Sequence, residues 1–305
     1  MTTNLILLLF SSLVFVVAQQ KDHCNILSLS GGGSHAAIGL SILEEVQLPE
    51  YDLIAGLSGG SVNAMYLSYF NTNTTFKVGL SSLIDIWKGM KTTDVYTVSL
   101  MNINKLWAYY DNTPLRKSLE DIFTGFSYTN DTAAKPAVIS LSNLNKAILD
   151  YKFLNSYTLK EQIDLVMASS AMPYLFPPVK INGTTYMDAT ILADEIIHGV
   201  YNFIDCKTYN ITIISSDNKL EKIKTIDTAK LYVSRLLSIM LDDYNNQLVE
   251  IISAQCYRDD YSITLNYCYP LSKDINNFIK IRFENIPQLM AKSKNFTCEK
   301  YTFCL

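Results

Sequence analysis

Cys24-Asn-Ile-Leu-Ser-Leu-Ser30 is a short apolar run that leads directly into Gly31-Gly32-Gly33. A run of this kind that ends in glycines is typical of a buried strand entering a tight turn. Residues 34–46 then have helical character, residues 52–56 form a second short apolar run, and residues 62–70 predict a second helix. Two strand–turn–helix units so close together indicate a parallel sheet covered by helices.

The same alternation continues through much of the chain. Apolar runs predict further strands at 137–141 and 211–215, and helical patterns are found at 115–123, 159–170 and 228–254. No internal repeat, low-complexity tract or linker interrupts the sequence from about residue 25 to 255. We therefore expect one α/β domain, because a chain of 305 residues is long enough to bury a large core.

The charge of the chain excludes one class of partner. The sequence is 49% hydrophobic and 18% charged, with a formal net charge of −4 and a pI near 5.4. Nucleic-acid-binding domains carry a basic surface, and this chain has no excess of positive charge. Its bulk charge does not favour anionic membranes either, so contact with lipid has to come from a local patch.

The first residues indicate export. The apolar run from Leu5 to Ala18 is shorter than the ~20 residues that cross a bilayer and has the length of a signal-peptide core. Val16 and Ala18 supply small residues before a cleavage site. We expect a signal peptide over residues 1–18, a single mature domain over residues 19–305, and a secreted or endolysosomal protein. The alternatives are an uncleaved anchor or a buried helix.

Sequons and cysteines agree with that route. Five Asn-X-Ser/Thr sequons are glycosylation candidates, at Asn73, Asn130, Asn182, Asn210 and Asn295. The six cysteines are even in number, as an oxidising compartment permits, and they form no Cys-X-X-Cys units that would indicate zinc. Four of them lie near the C-terminus, and pairs among these would staple the tail. The sequence leaves the pairing open.

Gly56-Leu57-Ser58-Gly59-Gly60 is the sharpest chemical signal in the chain. A serine between a buried strand and a helix sits on a strained turn, and small neighbours allow the backbone to make that turn. The hydroxyl is then presented above the sheet, at the N-terminus of the helix, as a nucleophile. The alternative is an ordinary glycine-rich connection, since so short a pattern also arises by chance.

The earlier glycine loop, residues 30–34, occupies the same position between a strand and a helix. Three glycines allow successive N–H groups to turn toward one point and bind an anion. In an acyl hydrolase this anion is the oxygen of the tetrahedral intermediate. Gly31-X-Gly33-X-X-Ala36 also fits a dinucleotide-binding loop, and a plain tight turn is the simplest alternative. The nucleophile pattern farther along the chain favours the oxyanion loop.

Four motifs together resemble the patatin-like phospholipases. Residues 30–39 are similar to their glycine-rich oxyanion loop, and residues 56–60 to their nucleophile elbow. Residues 168–178 resemble their helix-to-proline segment, and Met187-Asp188-Ala189 lies where the family has Asp-Gly-Gly or Asp-Gly-Ala. The elbow is also similar to that of cytosolic phospholipase and fungal lysophospholipase catalytic domains. The resemblance covers about residues 25–215 and implies a three-layer α/β/α fold with a mostly parallel central sheet.

The resemblance implies a lipid acyl hydrolase of the phospholipase A or lysophospholipase type. Ser58 is then the nucleophile, Asp188 accepts its proton, and the N–H groups of Gly32, Gly33 and Gly59 hold the oxyanion. The substrate is a phospholipid or another acyl lipid at a membrane or micelle surface, and no metal or organic cofactor is implied. Considered without the resemblance, Asp188 is a turn or helix-cap carboxylate.

Departures from the family motifs leave other interpretations open. The family usually has arginine and then glycine where this chain has His35 and Ala36, and Ala189 replaces a glycine after the aspartate. We expect His35 to face the substrate head group, with weaker or pH-sensitive recognition. A catalytically silent lipid-binding, storage or defence protein is the alternative to an enzyme. A conventional triad would use His198, and Tyr174 to Pro178 suggest an apolar wall or lip beside the site.

Overall fold

The computed structural model describes residues 21–46, 50–70, 72–98, 108–124, 135–190, 203–216, 261–272 and 282–304. Within these ranges, nine strands form one sheet and two more form a small separate ladder. The strands are β1 (Lys21–Leu29), β2 (Leu53–Gly56), β3 (Thr97–Val98), β4 (Tyr110–Asp111), β5 (Ala137–Asn143), β6 (Ile148–Phe153), β7 (Val179–Ile181), β8 (Thr184–Met187), β9 (Cys206–Ile214), β10 (Ser262–Pro270) and β11 (Phe296–Phe303). The helices are α1 (Ala36–Glu45), α2 (Gly59–Ser68), α3 (Asn73–Gly89), α4 (Thr113–Thr124), α5 (Leu159–Ser169) and α6 (Ile286–Ser293).

The centre of the large sheet is parallel and its margins are antiparallel. Strands β10, β9, β1, β2 and β5 follow one another in parallel. Strand β11 closes one edge antiparallel to β10, and β6, β7 and β8 complete the other side as antiparallel strands. The sheet is therefore mixed with a parallel centre, as the sequence predicted.

Both faces of the central strands are buried. Ile26 and Leu27 are neighbours on β1 and point to opposite faces, yet they are only 2% and 0% exposed. Leu27 and Ile54 belong to a core that includes residues of helices α1 to α6. Ile26 and Leu53 belong to a second core on the opposite face. A mostly parallel sheet buried on both faces identifies the three-layer α/β/α fold.

The described parts of the predicted elements are confirmed, with small shifts of their boundaries. Strands β1, β2, β5 and β9 and helices α1, α2, α4 and α5 all lie where the sequence pattern put them. Helix α2 begins at Gly59 rather than at Val62, because the glycines of the turn enter the helix. The predicted helix over residues 228–254 lies outside the described residues. The pattern missed helices α3 and α6 and strands β3, β4, β6, β7, β8, β10 and β11.

Two disulfides tie the sheet together at different places. Cys24 on β1 is bonded to Cys206 on the neighbouring strand β9. Cys268 on β10 is bonded to Cys298, its register partner on β11. Cys304 is also disulfide-bonded. The Cys268–Cys298 bond fastens the last strand to the sheet, as expected for cysteines that staple the C-terminal tail.

The features predicted for export fall partly outside the described residues. The apolar leader precedes them, and the signal peptide stays a prediction. Over the ranges that the structure covers, no helix is long and apolar enough to cross a membrane.

The glycosylation candidates occupy different settings. Asn182 and Asn295 are exposed, and Asn73 is the first residue of helix α3. Asn210 lies within strand β9 and is partly buried; its side chain bonds to two neighbouring asparagine side chains across the sheet. Asn130 lies outside the described residues. Exposure suits attachment of a glycan at the first two sites, and glycosylation stays a prediction at all five.

Candidate active site

Ser58 lies at the turn between strand β2 and helix α2. Its backbone has φ 51° and ψ −125°, a conformation that a residue with a side chain adopts only when its surroundings force it. A Cβ on Gly56 would overlap the carbonyl oxygen of Gly60, and a Cβ on Gly60 would lie 2.5 Å from the carbonyl oxygen of Ser30. The turn therefore closes only with glycines at these positions, and it has the geometry of a nucleophile elbow.

Hydroxyl groups of other serines form hydrogen bonds with both the N–H and the carbonyl oxygen of Ser58. Its N–H donates to Oγ of Ser169 at 3.1 Å, and the Ser169 hydroxyl donates to the carbonyl oxygen of Ser140 on β5 at 2.9 Å. Its carbonyl oxygen accepts from the hydroxyls of Ser61 at 2.6 Å and Ser170 at 3.3 Å. The main chain of the elbow is thus fixed from two sides, and only the Ser58 side chain is left to reorient.

The strand arrangement brings Asp188 to the same place. Strand β6 covers one edge of β5 along residues 138–143, so β2 and β8 share the other edge. Strand β2 runs parallel to β5 and ends at Gly56, whereas β8 runs antiparallel to β5 and ends at Met187. The two strands therefore point toward each other along that edge. Ser58 and Asp188 enter the gap between them from opposite directions.

Among the described residues, only one of the two oxygens of the Asp188 carboxyl forms hydrogen bonds. Asp188 is 1% exposed; its N–H donates to the carbonyl oxygen of Ala171 at 3.0 Å, and its carbonyl oxygen accepts from the hydroxyl of Ser142 at 3.1 Å. Oδ1 accepts from the N–H of Thr190 at 2.9 Å and from its hydroxyl at 2.5 Å. Oδ2 is buried without a hydrogen-bond partner among the described residues. An unpaired oxygen of a buried carboxyl is uncommon, and a catalytic role is one explanation for it.

Burial sets the acidity of this carboxyl. It raises the pKa of Asp188 to about 6, against the opposing effect of hydrogen-bonding groups on Ser58 and Thr190. The Ser58 hydroxyl is thus close enough to act on the carboxyl, although it forms no hydrogen bond of normal geometry with Oδ2. Such bonds often become short and aligned only when substrate is bound. Near neutral pH the carboxyl is ionised and still basic enough to accept a proton.

Main-chain donors surround the nucleophile. Gly32 and Gly33 have φ values of 111° and 58°, which glycine adopts readily, and with Gly59 they line the cavity at Ser58. A Cβ on Gly59 would lie 2.7 Å from Cβ of Ala36, so the elbow and the glycine loop are in close contact. Within the described part of the chain, the N–H groups of these three glycines donate to no other residue. Free donors in this position suit an oxyanion.

Of the two histidines considered from the sequence, only His35 lies within the described residues. His35 is 5% exposed and does not line the cavity, so its contact with a head group stays a prediction. His198 lies outside the described residues. The structure therefore brings together Ser58, Asp188 and the glycines, and no described histidine lines the cavity beside them.

An apolar cavity opens beside Ser58. Its volume is about 990 Å³, including space open to solvent. Polar groups lie at Ser58, Ser118, Ser170 and Thr190, whereas most of the wall is aliphatic or aromatic. Among the described residues, no charged side chain lines it. The arrangement has the character of a ligand pocket, with an apolar body and a few polar groups at one place.

One wall of the cavity comes from far along the chain. The Phe283 ring stacks on Trp87 of helix α3, with ring centroids 6.1 Å apart and planes inclined by 7°. The neighbouring Glu284 carboxylate accepts hydrogen bonds from the N–H and the hydroxyl of Thr92, at 2.9 and 2.7 Å. These bonds fix the segment before helix α6 against the end of helix α3.

The segment from Tyr174 to Pro178 contributes in two directions. Phe176 lines the cavity and is 6% exposed, whereas Tyr174 is 84% exposed. Tyr174 has a positive φ of 65°, and its carbonyl oxygen accepts from the N–H of Tyr109 at 2.9 Å. Phe176 is thus part of the apolar wall expected here, and Tyr174 faces solvent.

Sequence reasoning missed several residues of the site. Thr190 carried a local signal, because hydroxyl and N–H groups two residues after an aspartate often bond to its carboxylate. Ser169 lies in the segment that resembles the family, although the motif alone does not say what its hydroxyl contacts. Phe283 carried no signal, since only the folded chain brings it to Trp87.

The fold and the site together define a class of protein. A serine on a nucleophile elbow, a buried carboxyl, free main-chain donors and an apolar cavity over a mostly parallel sheet are features of α/β serine hydrolases. Residues 27–200 match the family model described as patatin-like phospholipase. Because the match covers more than half of the 305 residues, the chain belongs to the patatin-like phospholipase family. Membership supports hydrolysis of lipid acyl esters in general.

Similarity of the chain to individual solved structures and curated proteins is low. The crystal structure of VipD from Legionella pneumophila is similar with a TM-score of 0.34 and 12% sequence identity, over 92% of this chain and 68% of that chain. A comparison with curated proteins finds no significant match.

Proposed function

We propose that the chain is a phospholipase A or lysophospholipase that works through a Ser58–Asp188 dyad and an acyl-enzyme. The observation that carries the proposal is the Asp188 carboxyl. It is buried, its Oδ2 has no hydrogen-bond partner among the described residues, and the Ser58 side chain lowers its pKa. No other described residue forms a hydrogen bond with this oxygen. Oδ2 is therefore available to accept the proton of the Ser58 hydroxyl.

In this mechanism, Ser58 Oγ attacks the ester carbonyl carbon while Asp188 takes the hydroxyl proton. The N–H groups of Gly32, Gly33 and Gly59 stabilise the oxyanion that forms, and removal of one such donor typically costs ~3 kcal/mol of barrier. Collapse of the intermediate breaks the ester bond, and the proton on Asp188 passes to the leaving alcohol. Water then attacks the acyl-serine with Asp188 as base, which releases the fatty acid and restores both groups.

The apolar cavity suits the acyl chain of the substrate. Val62 and Tyr66 on helix α2 both line it. At a rise of ~1.5 Å per residue, the cavity wall extends along the helix to about 12 Å from Ser58. Transfer of hydrocarbon into such surroundings is favourable by ~0.8 kcal/mol for each buried methylene. The glycerol and head group then stay on the open side of the cavity, where a membrane or micelle supplies them.

The glycine loop and the cellular location complete the proposal. Free N–H donors beside a nucleophilic serine suit an oxyanion better than a dinucleotide, whose binding leaves the elbow unexplained. The apolar leader and the disulfides support a secreted or endolysosomal enzyme, because disulfides persist in oxidising compartments.

Replacement of either dyad residue tests the proposal. Ser58→Ala and Asp188→Ala are each expected to reduce hydrolysis of phosphatidylcholine vesicles by about a thousandfold or more. The free fatty acid is measured by mass spectrometry, and thermal unfolding shows whether the fold is intact. Ser81→Ala and Asp85→Ala are matched controls, because both residues are exposed on helix α3, and they should retain wild-type activity. Hydrolysis that survives in either dyad variant would overturn the mechanism.

A fluorophosphonate probe separates an enzyme from a silent lipid-binding protein. An activated serine reacts covalently, so the folded wild-type chain is expected to carry the label on Ser58. A folded protein that binds lipid vesicles but takes up no label would favour the silent alternative.

A further inference from the structure

Thr190 stands in the site without a role in the dyad mechanism. It is 4% exposed and lines the cavity with Ser58. Its N–H and its hydroxyl both donate to Oδ1 of Asp188, at 2.9 and 2.5 Å. The family motif that resembles this segment has glycine or alanine here, neither of which supplies a hydroxyl. The hydrogen bond from the hydroxyl therefore depends on the threonine that this chain has at position 190.

Two donors on one oxygen fix the plane of the carboxyl group. The terminal torsion of an aspartate is soft, so an unrestrained carboxyl samples a broad range of angles. With Oδ1 engaged twice, Oδ2 is the oxygen left without a partner among the described residues. Charge-assisted hydrogen bonds of this kind are short and strong, so they hold the orientation well.

Thr190 also lies close to the glycine loop. A Cβ built on Gly31 would lie 3.4 Å from the Thr190 hydroxyl oxygen and 3.0 Å from Cβ of Ser58. The loop, the elbow and the segment after β8 thus lie close together at this threonine.

We propose that Thr190 is a positioning residue of the dyad, whose hydroxyl orients the Asp188 carboxyl with Oδ2 toward Ser58. The inference rests on the proposed function and adds a residue to it. It predicts that the hydroxyl, and not the bulk of the threonine side chain, determines how well Asp188 works as a base.

The surroundings of Asp188 make the proton-binding consequence clear. Burial raises its pKa, and the hydroxyls of Ser58 and Thr190 and the Thr190 N–H lower it. Tyr186 on β8 directs its hydroxyl to Asp150, β5 carries no titratable side chain, and neither Tyr186 nor His35 of the glycine loop contributes to the shift. Removal of the Thr190 hydroxyl should therefore raise the pKa of Asp188 further, and the base would be protonated over a wider range of pH.

The test compares Thr190→Val, which keeps the shape, with Thr190→Ser, which keeps the hydroxyl. The rate constant kcat/KM is measured from pH 5 to pH 8 on a soluble p-nitrophenyl ester. Thr190→Val is expected to lose about tenfold activity below pH 6, because its acidic limb moves to higher pH, and to recover part of the loss at pH 8. Thr190→Ser should keep the wild-type profile. Thr190→Ala is a second variant without a hydroxyl if the valine protein does not fold.

Three outcomes distinguish the possibilities. An unchanged acidic limb in folded Thr190→Val, with Ser58→Ala inactive, would overturn the role of Thr190 and leave the dyad standing. A serine variant as impaired as the valine variant would show that the methyl group matters and would overturn it as well. Activity that survives in Ser58→Ala would remove the proposed function itself.

Discussion

The nucleophile half and the carboxyl half of the site are built by different means. Around Ser58, the geometry comes from the main chain, since glycines at 56 and 60 allow a turn that a side chain at either position would block. Around Asp188, it comes from hydroxyl groups, which bond to the carbonyl oxygen and to Oδ1. The turn that the glycines allow is present or absent as a whole, whereas the hydrogen bonds to Asp188 can be altered one at a time.

Because of this difference, substitutions in the two halves are expected to have different consequences. A side chain added at Gly56 or Gly60 acts on the fold and removes catalysis as a secondary effect. A change near Asp188 acts on the pKa and orientation of one carboxyl and leaves the fold in place. The motif departures at Ala189 and Thr190 lie in this second half of the site.

The largest effect is expected at the elbow. In Gly60→Ala, the new Cβ would overlap the carbonyl oxygen of Leu29 on β1, so the free energy of unfolding should fall by ~4 kcal/mol or more, with loss of all activity. Urea unfolding measures it. Gly89→Ala is the control, because a Cβ there meets nothing within 4 Å at the end of helix α3. An active Gly60→Ala protein of normal stability would show that the main chain does not determine the elbow.

A gain in stability is expected at the carboxyl. The pKa of Asp188 is about 6 in the folded chain against an ordinary value of 3.8, so ionisation of this group costs the folded state about 3 kcal/mol above pH 6. Asp188→Asn removes that cost. Its free energy of unfolding should exceed that of the wild type by up to this amount at pH 7.5, although it is inactive.

The sign of this effect depends on pH. Below the ordinary value of 3.8, Asp188 is protonated in both the folded and the unfolded states, so the advantage of the asparagine variant should disappear as pH falls toward that value. Asp85→Asn is the control, because the Asp85 side chain is 80% exposed, and no gain is expected. An equal gain at pH 7.5 and at the acidic end would contradict the assignment of the pKa.

The smallest effect is expected at Ser169, whose hydroxyl connects Ser58 to Ser140 on β5. Ser169→Ala removes the acceptor for the Ser58 N–H and the donor to Ser140, so we expect a loss of ~1–3 kcal/mol in stability and a few-fold loss in kcat. Ser68→Ala removes a buried hydroxyl that bonds within its own helix to Met65 and serves as the control. Equal losses of kcat in the two variants would show that Ser169 has no particular connection with the elbow.

The part of the site that was predictable is the part fixed by local sequence. The apolar runs at β1 and β2 and the glycines after them determine strand, turn and helix within a few residues, so the elbow and the glycine loop could be inferred directly. Asp188 depended on the family resemblance, because an aspartate after a short strand has many ordinary roles.

The rest depends on contacts between distant residues. Ser169 reaches Ser58 across 111 positions, and no local pattern predicts such a pair. The sequence pattern did not predict strand β6, because the strand is only half-buried and shows no clear alternation of apolar residues. The cavity depends most on tertiary packing, since Trp87 and Phe283 become neighbours only in the folded chain.

The origin of Phe283 has a consequence for how relatives are compared. This ring forms part of the cavity lining, yet it lies beyond residues 27–200, over which the family model matches. The elbow and the Asp188 motif lie within the matched region, whereas this side of the pocket lies outside it. Two relatives with identical motifs can therefore present differently shaped pockets to the same fatty acid.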